Sequence, residues 1–224
     1  MHLDIHALDG QWGGLARGFA DTLWLCILGG TMAGALGIAL MAGQRRRGTF
    51  LARLLRLYTD ITLALPLLVV LYVAFFVLPE FGALLPARLV GTLTLAVYYA
   101  PYIAEVIRAS VAAVPAGTIE AGVAIGMSPW TIGWRIVMPQ ALPLLLPTMT
   151  GLAIGLLKDS ALLSVISVHE FMFAAKEAVS ETYAPLEVYL VVALVYWAAT
   201  ALLHAASRHW ERRLGRTATL PFSR

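Results

Sequence analysis

Five long stretches of this chain contain no Asp, Glu, Lys or Arg: Thr22–Gly43, Ile61–Pro79, Leu89–Ala104, Met138–Leu157 and Val188–Ser207. Lipid offers no partner to backbone N–H and C=O groups, so a segment that crosses it must close its own hydrogen bonds. About 20 apolar residues do so as an α-helix. The third stretch continues helically past Glu105 toward Val114, and the fourth resumes beyond Lys158 and Asp159 from Ser160 to Val168. The period-two alternation of a barrel strand is absent. The pattern predicts an all-α integral membrane protein with five transmembrane helices. Composition agrees, with 60% hydrophobic and only 13% charged residues and a mean hydropathy of +0.80, far from soluble averages.

Orientation follows from Lys and Arg, which cytoplasmic loops retain. Arg45, Arg46, Arg47, Arg53 and Arg56 lie between the first two spans, Arg108 and Arg135 flank the segment before the fourth, and Arg208, Arg212, Arg213, Arg216 and Arg224 close the chain. These are twelve of the sixteen basic residues. Arg17, Arg88 and Lys176 fall on the other side. The expectation is an N-terminus outside and a C-terminus in the cytoplasm. One domain covers 1–224, with a core of about 15–214, an outer segment 1–14 and a cytoplasmic tail 215–224. Asp4 and Asp9 replace a basic n-region, so the first span reads as its own insertion signal.

Most enzyme and binding classes fail on spacing. The arginines follow topology rather than a soluble face, which excludes nucleic acid as a partner and leaves membrane lipid as the contact for Arg45–Arg47. Cys26 has no second cysteine to pair with. His169–Glu170 would open a zinc-protease helix, but the residue four further on is Phe173, so no metal site is expected. Lys158 and Ser160 are two apart and face different sides of a helix, which excludes a nucleophile and base. Charged side chains within spans cost about 2.5–3.5 kcal/mol on insertion scales and so have partners or a path to line. Glu105 and Arg108, at i,i+3, are expected to pair, as are Arg56 and Asp60 at i,i+4. Lys158 and Asp159 are expected to line a path.

A short polar insert interrupts the apolar pattern from Glu120 to Pro139, reading as a helix, a break at Gly126 and a second amphipathic piece. Such a knuckle suits docking to another protein, with Ile125, Met127, Trp130 and Ile132 as apolar contact area. The chain lacks the Gly-Lys-Ser/Thr of a phosphate-binding loop; its lysines follow Leu157 and Ala175. It is therefore read as no enzyme. Transport driven by ATP would need a partner that hydrolyses it.

Several ordered motifs resemble the permease subunits of bacterial ABC importers for polar amino acids of the histidine, glutamine and arginine type. The insert has Glu120-Ala121-Gly122, Ile125-Gly126-Met127-Ser128, Arg135 and Met138-Pro139-Gln140-Ala141, similar to the family's Glu-Ala-Ala, Leu-Gly-Met-Ser, Arg and Leu-Pro-Gln-Ala. Upstream, Tyr102-Ile103-Ala104-Glu105-Val106-Ile107-Arg108 resembles Tyr-x-Ala-Glu-x-x-Arg, and downstream Leu156-Leu157-Lys158-Asp159-Ser160-Ala161-Leu162 resembles Leu-Leu-Lys-Asp-Thr-Ser-Leu. The resemblance spans about residues 15–214.

It implies a coupling helix between spans three and four, in which Glu120, Ala121, Gly122, Gly126, Met127, Ser128, Trp130 and Arg135 contact an ABC ATPase dimer. ATP and Mg would sit on that partner, with no cofactor or metal in this chain. It also implies a second permease copy or paralogue and an extracytoplasmic solute-binding protein. Leu63, Leu65, Pro66, Glu105, Gly151, Lys158, Asp159 and Ser160 would lie on the translocation path.

The departures from the family gather where solute would pass. Thr62-Leu63-Ala64-Leu65-Pro66 stands where the family resembles Phe-Arg-Gly-Thr-Pro, and Gly151-Leu152 replaces an Asn-Glu pair. Either the substrate is less charged, or a partner permease supplies the polar groups. Pro139, Pro143 and Pro147 predict a kinked fourth span, and Gly30, Gly34, Gly151 and Gly155 predict close helix packing. The alternative of a secondary transporter or channel would call for broken helices in repeated halves, and five spans show no internal repeat.

Overall fold

The computed structural model describes residues 8–45 and 48–215. Residues 1–7 of the outer segment, Arg46 and Arg47, and residues 216–224 of the tail, with Arg216 and Arg224, lie outside the described residues. All regular structure among the described residues is helical. The order is α1 (Trp12–Gln44), α2 (Phe50–Ala64), α3 (Leu67–Tyr72), α4 (Ala87–Ala112), α5 (Ala116–Ala124), α6 (Pro129–Ile132), α7 (Met138–Asp159), α8 (Phe171–Thr182) and α9 (Pro185–Gly215). Four helical segments are long and apolar enough to cross a membrane, and a fifth is counted if α2 and the segment from Leu67 to Phe81 form one span.

The stretch expected as the second span is not one straight helix. Its helix starts at Phe50, well before Ile61, because Thr49 accepts the Ala52 N–H as an N-cap. It then breaks at Leu65, and the two halves diverge by 113°. Pro66 causes the break: it disfavours the helical region for the residue before it, and Leu65 is extended at ψ 141°. The chain then winds through α3, a π-helical turn over Val73–Val77 and a 3-10 turn over Leu78–Phe81.

α1 and α4 form the spine and run parallel, since Asp21 bonds Arg88 early in both and Gly37 meets Ala100 further along both. One face of α1 is buried, namely Leu15, Gly18, Thr22, Leu25, Gly29, Ala33, Gly37 and Leu40. Spacings of three and four keep these residues on one stripe. This shifts the expected small-residue face by one position. Gly29 and Gly37, rather than Gly30 and Gly34, are the close-contact glycines, and a Cβ at Gly34 would meet nothing within 4 Å. α7 runs antiparallel to α4, with Gly155 under the Tyr99 hydroxyl and Leu163, just beyond α7, over Gly91. The core gathers Leu25, Leu71, Leu95, Tyr98, Tyr99, Leu156 and Leu163, and a smaller cluster joins Leu15, Phe171, Ala175, Val188 and Val192 where α8 closes one end.

Pro139, Pro143 and Pro147 of the fourth span all lie within one helix. α7 continues through Pro143 and Pro147 as one helix, and the irregularity lies upstream as a π-turn over Gly133–Val137. Pro139 has no N–H to give the Arg135 carbonyl, and the Met138 N–H instead reaches Gly133, five residues back.

Candidate functional site: the knuckle and the broken span

Every residue of the insert sits on the end of the bundle where α1 and α4 finish. α5 ends in a Schellman arrangement: the Gly126 N–H donates to the Val123 carbonyl at 2.9 Å and the Met127 N–H to Gly122 at 3.0 Å. This closure needs a left-handed residue, and Gly126 has φ +79°. Ser128 then caps α6, accepting the Thr131 N–H at 3.2 Å, and Pro129 takes the first helical position. Gly122 is buried under Ile132 and Ile136, so close that a Cβ would come within 2.8 Å of Ile136 Cδ1. The two helical pieces therefore fold back on each other through one glycine at the bend and one at the crossing.

What the knuckle presents outward is apolar. Ile125 is 78% exposed and Trp130 75%, with Val123 and Trp134 beside them. The Trp130 and Trp134 rings lie 5.8 Å apart, edge to face. Glu120, Ala121, Ser128 and Arg135 are also exposed, and Met127 is half-buried. Ile132, by contrast, faces inward at 6% exposure and belongs to the knuckle's own packing.

The residues expected on a path are divided by the fold. Leu63, Leu65 and Pro66 sit at the broken span, where the Leu65 carbonyl accepts the Tyr98 hydroxyl at 3.1 Å. Tyr98, Tyr99 and Tyr102 form an aromatic cluster beside this break, and Tyr99 donates to Asp159 at 2.7 Å. Lys158 and Gly151 are exposed, whereas Ser160 is fully buried and donates to the Leu157 carbonyl. Glu105 pairs with Arg108 as its spacing predicts. Arg56 does not pair with Asp60; it turns to the Gln44 carbonyl at the end of α1, 3.4 Å away. Among the described residues no group of His, Cys, Asp and Glu could hold a metal ion.

Glu170, weighed in the sequence only as part of a metal motif, has a structural role instead. It is fully buried, caps α8 through the Phe173 N–H at 2.8 Å, and accepts the Thr22 hydroxyl from α1 at 3.2 Å. Thr22 in turn accepts the Phe171 N–H. Burial pushes the carboxyl up to about 7, against the lowering effect of the Met172 and Phe173 N–H groups, Thr22 and Lys176. The only sequence signal was an acidic residue directly before an apolar helix. Because the folded value lies above the ordinary one, the contribution to stability is fully present below about pH 4.5 and is lost as pH rises through about 7. The detergent-solubilised chain should therefore melt at a lower temperature at pH 8 than at pH 5, by on the order of 2–3 kcal/mol of stability at most. Glu170→Gln, which keeps an acceptor for Phe173, should flatten that slope; equal slopes would remove Glu170 as its origin.

Comparison with known proteins places this architecture. Residues 35–216 match the family model described as binding-protein-dependent transport system inner membrane component. The chain is 31% identical over 208 residues to a probable amino-acid ABC transporter permease protein of Sinorhizobium fredii, covering 89% of this chain and 88% of that one. It is 32% identical over 204 residues to the glutamine transport system permease protein of Escherichia coli K12, with 89% and 92% covered. A crystal structure of an amino acid ABC transporter with histidines superposes with a TM-score of 0.89 at 29% identity, over 95% of this chain and all of that one. The MetNI methionine ABC transporter in an inward-facing form shares the fold, with a TM-score of 0.76 at 21% identity over 92% and 98%. The chain belongs to the family of binding-protein-dependent transport system inner membrane components, the permease subunits of ABC importers.

Proposed function

We propose that this permease carries amino acids or related small polar solutes inward, from an extracytoplasmic binding protein to the cytoplasm, on power supplied by an ABC ATPase dimer seated on the α5–α6 knuckle. The exposed Ile125 and Trp130 on a glycine-ended fold-back are the observation that carries this reading. They form an apolar knob on an end of the bundle otherwise rich in arginine, which suits a partner's groove better than water or headgroups. The relatives' names supply the amino-acid class. With Arg45, Arg108, Arg135 and Arg208 at the knuckle's end and Arg17, Arg88 and Lys176 at the other, the positive-inside rule puts the knuckle and C-terminus in the cytoplasm and the N-terminus outside.

ATP and Mg belong to the ATPase, whose closure would draw two knuckles together, one from this chain and one from a second permease. Solute would then pass beside the broken span, near Leu63, Leu65, Pro66, Glu105, Gly151, Lys158 and Asp159, while Ser160, buried against the Leu157 carbonyl, would support the path rather than line it. Broken helices in membranes gather ligands because they free backbone groups. The test is gentle extraction of the tagged chain, identification of its co-purifying subunits, and uptake assays in proteoliposomes. An ABC ATPase and a permease dimer are expected, with uptake that requires internal ATP. A solitary chain that moves solute on a proton gradient alone would overturn the reading.

A further inference from the structure

A cavity of about 640 Å³ lies between the last turn of α1, the second half of α2 and the last turns of α4, a volume typical of small-molecule sites. Charges of both signs line it: Arg45, Arg56 and Arg108 with Asp60 and Glu105. We propose that this cavity is a weak site for a zwitterionic α-amino acid, with the ammonium on Asp60 and the carboxylate on Arg56 and Arg45. The proposal rests on the importer reading, and places a second pausing point for solute on the exit side of the broken span.

Among the described residues, only one pair of these charges is satisfied within the protein. Glu105 and Arg108 are committed to each other. Arg56 gives one nitrogen to the Gln44 carbonyl, which leaves the rest of its planar fork free for a carboxylate. Asp60, one turn along α2, is exposed and makes no pair with Arg56. The cavity thus keeps an available cation and an available anion side by side. A phosphate would meet Asp60, Glu105 and the carbonyl ends of α1 and α4, where the helix dipoles are negative. A simple cation would meet three guanidinium groups. A molecule with both poles answers both constraints, and the geometry reads nothing beyond those two poles.

Position gives the site its role. Asp60 lies five residues before Leu65, about 7.5 Å along the helix from the break, and α4 runs from the cavity wall at Ala112 into the knuckle through Val114 and Pro115. Solute leaving the break reaches this cavity before the cytoplasm, next to the element that contacts the ATPase.

The experiment is equilibrium binding of radiolabelled L-alanine to the full permease–ATPase complex in nanodiscs of neutral phosphatidylcholine, with propionate and ethylamine as competitors that each lack one pole. Saturable alanine binding is expected, with both competitors at least tenfold weaker, and at least tenfold loss in Asp60→Asn and Arg56→Gln. Met41→Trp, which fills the cavity without removing a charge, should give the same loss and guards against a folding defect in the charge variants. Propionate competing as well as alanine, or binding of inorganic phosphate or phosphatidylglycerol with none of alanine, would make this an anion site and overturn the proposal. Unchanged alanine binding in all three variants would overturn it too. ATP-driven uptake by the same wild-type complex, reconstituted with its binding protein into proteoliposomes, separates the cases: lost uptake sinks the importer reading, whereas intact uptake with no alanine bound at the cavity sinks only this proposal.

Discussion

Gly126→Asp is expected to insert, fold and dimerise as the parent does, yet to lose transport. The added Cβ has open space, with nothing within 4 Å, so no clash drives the effect. The backbone does: at φ +79° a side chain costs about 1–2 kcal/mol, and the Schellman closure of α5 through Gly122 and Val123 is what that cost loosens. The carboxylate also lies beside Ile125, in a surface whose desolvated apolar anchors are each of the kind worth ~2 kcal/mol or more. Together these predict a loss of about 3 kcal/mol in ATPase affinity, roughly 100-fold, and uptake near background. Gly126→Ala, which bears the backbone cost without the charge, should fall between. Co-purification of the ATPase and proteoliposome uptake read both steps. Normal transport by Gly126→Asp would remove the knuckle as the coupling element.

The fold-back of the insert at Gly126 was legible in the sequence because its signals are local. A capping serine, a proline at the first helical position and a glycine at the bend each act within a few residues, and the fold-back follows from them. The Glu105–Arg108 pair was legible for the same reason. The second span was not. Its apolar run continues through Leu65 and Pro66 without a polar mark, and hydropathy cannot distinguish one continuous helix from two that diverge by 113°. Asp60 and Arg56 had the right spacing for a pair, but the end of α1 offered Arg56 a carbonyl that no local pattern could announce. The structural role of Glu170 was missed because its burial depends on α1 lying across the start of α8, a contact between residues 148 apart.

The same distinction explains the glycines of α1 and yields the second large effect. Sequence alone points to Gly30 and Gly34 as the close-packing glycines; the structure places Gly29 and Gly37 against α4 instead. At Gly37 a Cβ would stand 2.9 Å from the Ala100 carbonyl oxygen and 3.1 Å from Ile103 Cβ. The first of these is backbone, so no rotamer change relieves it, and α1 must move off α4. In lipid, helix association depends on this close approach because apolar side chains gain little by leaving one another for lipid tails. Gly37→Leu should therefore destabilise the detergent-solubilised chain by at least the ~1–3 kcal/mol typical of overpacked cores, seen as a lower melting temperature and a smaller folded yield. Gly34→Leu is the matched control: same helix, same change in propensity, and open space around the new side chain. It should melt no lower than the parent, since leucine favours helix over glycine by up to about 1 kcal/mol. Equal losses at both positions would show that the α1–α4 approach is not what holds the spine together, and that the parallel pair on which α2, α7 and the knuckle are hung draws its stability from elsewhere.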